Sequence, residues 1–238
     1  MRRKTFPPVG VLACAVCVLV GVTPRVHAQN AHPAYAAMAP IDAYLMADRN
    51  AEIALARSAA PEAISRDARV LVLGRHGYET AIGGRTDFVC VVERSWMGPF
   101  DVPEFWNPKV RGPICFNPPA ARSILPLTIK RTELALSGLS KERIIDSVTA
   151  FDKKGLPTLE PGAMSFMLSK QGFLGDSVGH WAPHLMFYVP QTDSTMWGAG
   201  FPHSPVLLFP QFHAPEPITV FLVPVAKWSD GTIWDRNR

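Results

Sequence analysis

Beyond residue 22 the chain has no apolar run long enough to cross a bilayer, which takes roughly 20 residues at a rise of about 1.5 Å each. It has no internal repeat, no block of like charge and no low-complexity linker, so nothing in it marks a domain boundary. No glycine-rich phosphate loop, paired CxxC motif or Gly-x-Ser-x-Gly elbow follows the first 28 residues, which removes the most recognisable nucleotide, redox and hydrolase signatures. Cysteine is scarce: there are four, and Cys14 and Cys17 fall within the N-terminal segment.

That segment is the most informative stretch present. Arg2, Arg3 and Lys4 precede an apolar run over residues 9–22, and Val26-His27-Ala28 places small residues where a signal peptidase reads them. Residues 1–28 therefore read as a cleavable export signal, leaving a mature chain without a transmembrane segment in the periplasm or secreted medium. Val11-Leu12-Ala13-Cys14 has the look of a lipoprotein box and Arg2-Arg3 of a twin-arginine signal, but Pro7-Pro8 and the late Phe6 fit neither pattern.

Cleavage removes Arg2, Arg3, Lys4 and Arg25 from the 24 basic residues and none of the 20 acidic ones, so the mature chain carries no formal net charge. The basic balance of the precursor thus calls for no nucleic-acid partner. Cys90 and Cys115 remain, and an even pair in an oxidising compartment predicts a disulfide between them. Two buried free thiols are the alternative.

The remaining 210 or so residues suit one globular domain over 41–238, with the Ala- and Pro-containing residues 29–40 as a flexible lead-in. Residues 42–60 are rich in helix formers and close at Pro61. Residues 69–73, 78–82 and 88–93 read as strands, the last two joined through Gly83-Gly84 as a hairpin or meander. Residues 95–119 carry six prolines among large aromatics and read as one long packed loop, pinned at its far end by the disulfide. Helix resumes after Pro119, with a kink or restart at Pro126 and a cap at Gly138. The next helix has the clearest signature, with Ser140 as N-cap, Leu139 and Ile144 as a hydrophobic staple, and Ile144, Ile145, Val148 and Phe151 on one face. That face needs a packing partner, for which the following strands at 163–169, 184–189 and 218–225 are candidates. Strands on either side of a helical block predict an α+β domain with a largely antiparallel sheet, helices packed on one face and long Pro-rich loops.

Three sets of residues suggest chemistry. Arg75-His76-Gly77 after an apolar strand resembles the Arg-His-Gly signature of histidine phosphatases, which implies His76 as nucleophile and Arg75 as phosphate holder. That family needs a helix after the motif and a doubly wound parallel sheet, whereas strands are expected here; the bland alternative is a turn. His180 and His184, with Asp176 upstream and His203 and His213 downstream, offer imidazole and carboxylate groups for a metal, although Pro183 forbids a helical pair. Gly175-Asp176-Ser177 matches part of an esterase nucleophile block but lacks the Asp-x-x-His that should follow. Aromatics including Trp181, Tyr188 and Trp197 could stack on a flat ligand, or fill the core.

The runs of residues 48–61, 74–80, 93–96 and 179–181 resemble an uncharacterised family of exported bacterial proteins. The resemblance spans nearly all of the mature chain, implies bacterial origin and export, and carries over no functional residue, cofactor or partner. The expectation is an exported accessory protein binding a small molecule or an envelope component; the alternative is a periplasmic hydrolase working through His180 and His184, or through Arg75 and His76.

Overall fold

A computed structural model describes residues 35–155, 158–208 and 218–235, all within one compact unit spanning 32–238. Residues 1–28, read above as an export signal, residues 29–34 and His213 lie outside the described residues. Arg69–Gly74 (β1) and Gly77–Ile82 (β2) pair antiparallel with Gly74 opposite Gly77, leaving Arg75 and His76 as the whole hairpin turn. Gly77 holds φ at +128°, where a side chain would be strained. The third strand, Val89–Glu93 (β3), pairs in parallel with β1 and not with β2. The hairpin thus joins the first two strands, and Gly83-Gly84 serve a crossing connection. At Gly84 a Cβ would come within 2.4 Å of the Arg69 nitrogen, so glycine permits that connection to return over the start of β1.

Within the stretch expected to be one loop, Gly112–Phe116 forms a strand (β4) antiparallel to β3. The prolines misled because only Pro113 falls within the strand, and the Ile114-Cys115-Phe116 run that follows is wholly buried. Cys90 and Cys115 face each other across β3 and β4 and are joined by a disulfide. The bridge therefore staples neighbouring strands and does not tether a loop. Met164–Met167 (β5), His184–Pro190 (β6), Leu207–Leu208 (β7) and Ile218–Pro224 (β8) complete an eight-stranded sheet in the order β2-β1-β3-β4-β5-β6-β8-β7, antiparallel except for the β1–β3 pair. The α+β class expected from the sequence is what the chain forms.

The helices are Arg49–Arg57 (α1), Glu62–Ser65 (α2), Pro118–Ser123 (α3), Leu125–Leu136 (α4) and Lys141–Gly155 (α5). The chain breaks at Pro126 as expected, with Pro126 in the first turn of α4. On one face of the sheet, Leu71, Val89, Val91, Ile114 and Phe116 pack with Ala120, Ile124 and Leu125 of the α3–α4 region. The other face adds a second helical layer: Val70, Cys90, Val92 and Cys115 meet Leu55 and Ala56 of α1. Strand alternation alone makes this division, since successive side chains leave opposite faces. The buried face of α5, Ile144 and Val148, packs beside Ala135 of α4 with Trp96, Phe105 and Trp106, so its partner is helix and loop instead of the later strands.

The first helix is shorter than its composition suggests. Tyr44 is fully buried, its hydroxyl donates to the Trp106 carbonyl at 2.7 Å, and its own carbonyl accepts from Arg94 Nε at 2.8 Å. A carbonyl committed to Arg94 does not serve a helix ladder, and α1 starts only after Asp48 caps the Asn50 nitrogen at 2.8 Å. Residues 35–40 of the expected flexible lead-in are also packed: Tyr35 donates to Asp176 at 2.6 Å, and Met38 and Ala39 lie against the aromatic cluster.

Arg94, fully buried, donates to Glu52 at 2.8 Å, and Glu52 also accepts the Leu73 nitrogen at 3.1 Å. This pair ties α1 to the ends of β1 and β3, where the chain enters the site described next.

Candidate functional site

Along β3, Val89, Val91 and Glu93 share the face covered by α3 and α4, so a carboxyl group ends an otherwise apolar row. Above it, the inward side of α4 is apolar except for Thr128, Arg131 and Thr132. Thr128 and Arg131 stand one turn apart and therefore on the same side. Between sheet and helix lies a cavity of about 330 Å³, floored by Met186 and Tyr188 of β6 and Val220 of β8. Phe100 borders it on one side, with the Arg131 guanidinium 4.3 Å above its ring, and Leu174 and Trp181 border it on another.

The polar groups of the cavity differ in state. Burial pushes the Glu93 carboxyl up to about 8, although the Arg131 charge and a hydrogen bond with Thr128 pull the other way. Such a carboxyl is mostly protonated at neutral pH and can donate a hydrogen bond. Arg131 Nη1 donates to the carbonyls of Met97 and Gly98 at 3.3 and 3.2 Å, which fixes the guanidinium beside the cavity. Burial, helped by the nearby Glu93 charge, holds the Tyr188 hydroxyl far above its ordinary range despite its bond to Ser165 at 2.9 Å. His184 is pulled down by burial, partly offset by its bond to the Ala182 carbonyl. That Nδ1 contact is 2.7 Å, and since a carbonyl only accepts, Nδ1 carries the proton. Ser95, in the cavity wall, has a buried hydroxyl without a hydrogen-bond partner.

The segment carrying Leu174, Ser177 and Trp181 is fixed by one buried carboxylate. Glu104 accepts from the nitrogens of Asp176 at 2.6 Å and Ser177 at 2.8 Å. Burial works against its charge, but bonds from the Ser177 side chain and backbone, Asn107 and the Asp176 nitrogen hold the carboxyl below the usual range. Gly175 lies at φ +143°, and a Cβ there would meet Glu104 Oε2 at 2.0 Å.

Of the residues singled out from sequence, the structure brings Trp181, Tyr188 and His184 to this cavity. Trp181 stacks obliquely on His184 with ring centres 5.0 Å apart. Trp197 lies elsewhere, half exposed and stacked on Phe221. His180 is exposed, with Nδ1 2.5 Å from the Gly172 carbonyl and its ring against Phe173. Asp176 is engaged by Tyr35, Asn107 and Lys109. Among the described residues, no group of three or more His, Cys, Asp or Glu side chains is arranged to hold a metal ion. Arg75 and His76 sit exposed on the β1–β2 turn, where Arg75 pairs with Asp42 at 2.5 Å. A strand follows them, in a sheet that is not doubly wound, so the surroundings of the phosphatase signature are not formed.

Glu93, Thr128 and Arg131 were absent from the sequence-based candidates. Their signal was present as a breach of periodicity: Glu93 continues the Val89, Val91 row, and Thr128 and Arg131 fall on the buried face of an amphipathic helix.

Fold and site define an α+β protein with a partly open, largely apolar cavity between its helical layer and the sheet. No family model matches the chain, and no curated protein or solved structure does either.

Proposed function

We propose that the chain is an exported protein that binds one small, largely apolar molecule in the cavity between α4 and the sheet. The observation that carries this reading is the cavity itself. Its volume of about 330 Å³ lies within the roughly 300–1,000 Å³ range of small-molecule sites, and its wall is apolar with a few polar groups near Glu93. The N-terminal signal pattern and the Cys90–Cys115 disulfide support function in the periplasm or outside the cell. In that setting the protein would act as an accessory that holds or carries its ligand.

A hydrolase acting through His76, or through His180 and His184, draws less support. His76 is on an exposed turn, and His184, unlike exposed His180, is buried with Nδ1 committed to a backbone carbonyl.

The test uses N-phenyl-1-naphthylamine, a dye that fluoresces on entering apolar sites. The mature protein should bind it at one equivalent per chain. Met167→Trp, which fills space at the cavity wall, should abolish that binding while the protein stays folded by circular dichroism. Absence of binding to the native protein, or binding unaffected by the filling substitution, would refute the reading.

A further inference from the structure

We infer that the cavity ligand carries a hydroxyl group on an apolar body, the hydroxyl donating to Nε2 of His184 and the body lying along Met186, Tyr188 and Trp181. The inference rests on the cavity being a ligand site and adds which head group it selects.

His184, Met186 and Tyr188 are alternate residues of β6, so their side chains leave the same face of the sheet. All three line the cavity, and His184 is only 2 % exposed. Its Nδ1 lies 2.7 Å from the Ala182 carbonyl and holds the ring proton, which leaves Nε2 with a lone pair. Among the described residues, no donor meets that nitrogen. Trp181 contacts the ring obliquely, with centres 5.0 Å apart, and the Tyr188 hydroxyl is bonded to Ser165. Across the sheet, His184 is flanked by Met167 on β5 and Pro224 on β8, neither of which has a polar side chain to offer. Burial lowers the basicity of the ring, in line with a neutral imidazole. A buried acceptor left unmet costs free energy, so a ligand that brings a donor to Nε2 gains what a ligand without one does not.

The surroundings narrow that donor to a hydroxyl. The cavity wall is apolar over most of its area, so the ligand's body must be apolar as well. Ethers, esters and carboxylates present only acceptors and leave Nε2 unmet. An ammonium group does donate, but taking its charge out of water costs more than one bond to a neutral nitrogen returns. An amide N–H comes with a carbonyl that needs a donor of its own. A hydroxyl supplies the donor with the least added polar surface. Ser95 Oγ, unpartnered as well, is sealed beneath the cavity surface and offers no competing contact.

The experiment displaces N-phenyl-1-naphthylamine from the mature protein with decanol or 1-fluorodecane, two probes of similar size in which fluorine replaces the hydroxyl and removes the donor. Their affinities are compared as a ratio between the native protein and His184→Phe, so that their different solubilities in water cancel. The affinity of decanol relative to 1-fluorodecane should fall by about threefold to tenfold in His184→Phe, the worth of one buried hydrogen bond between neutral groups. His184→Gln, whose amide oxygen accepts, should recover part of that loss. Dye binding by each variant checks that the cavity is intact. With isotope-labelled histidine, nitrogen NMR of the native protein gives a second readout: the Nε2 resonance should move towards the protonated range with decanol and stay in place with 1-fluorodecane. Should His184→Phe lose the dye, that resonance decides alone. If the dye binds but the affinity ratio is the same in the native protein and His184→Phe, or the resonance answers both probes equally, the hydroxyl assignment is overturned while the cavity reading stands. If the dye does not bind the native protein at all, both fall.

Discussion

Glu52 accepts from two partners at once, the Arg94 guanidinium and the Leu73 nitrogen, and so holds α1 on the sheet. Removing one member of such a buried pair strands the other, which typically costs about 3–5 kcal/mol, whereas replacing both by apolar groups is often nearly neutral. Glu52→Leu should therefore lower stability by that amount in urea denaturation, and Glu52→Leu with Arg94→Met should recover much of it. Equal loss in the single and double variants would show that packing, not charge, dominates there. At this scale the sequence was uneven. The disulfide partners followed from counting once the signal was removed, and Arg75 and His76 were correctly bracketed by a turn alternative. Glu93, Glu52 and Arg131 were hidden because a charged residue is by default a surface residue. A break in the apolar periodicity marks Glu93 and Arg131, but which elements cover them, and Glu52 with them, depends on contacts among α1, β1, β3 and α4 that lie far apart in sequence.

Elements were legible wherever the local signals agreed with one another. The Ser140 cap, the Leu139–Ile144 spacing and the apolar stripe of α5 all point to one helix, which forms at Lys141–Gly155. At β4 composition and packing disagreed, and the long-range pairing with β3 prevailed over the prolines around it. The Cys90–Cys115 bridge closes 25 residues of chain containing the whole aromatic loop. Reduction should cost about 3 kcal/mol in the chain-entropy account, visible as a lower urea midpoint with the sheet still formed. No shift on reduction would mean that strand pairing alone already confines that loop. The segment at 174–181 is held differently, through the paired acceptance of its Asp176 and Ser177 nitrogens by Glu104. Glu104→Ala should leave the sheet unaltered but speed hydrogen exchange at those two amides by at least tenfold, an effect of about 1.4 kcal/mol or more on local opening. Protection equal to that of the native protein would remove Glu104 as the anchor.

Across the whole molecule, the half-buried Glu93 carboxyl at the cavity end should leave a mark on stability. Glu93 is raised from the ordinary 4.5 to about 8 by burial, opposed by Arg131 and Thr128. Its folded form therefore holds a proton that the unfolded chain releases, so its contribution is fully present below about pH 4.5 and is lost as pH rises through about 8. Glu104 and Asp230 have the opposite sign, since both are held below their usual values and weaken the fold only as acid protonates them. The native protein should accordingly be most stable in mildly acidic solution and lose stability towards pH 8, with a slope from Glu93 of at most about 1.4 kcal/mol per pH unit. Urea midpoints taken from acidic to alkaline pH would reveal this slope, and Glu93→Gln should flatten it, leaving the variant more stable than the native chain by a few kcal/mol above about pH 8. A native profile as flat as that of the variant would mean that water in the cavity already solvates the Glu93 charge. A largely apolar cavity under α4 calls for the slope, because the Arg131 charge and the Thr128 hydrogen bond offset only part of the cost of ionising a carboxyl there.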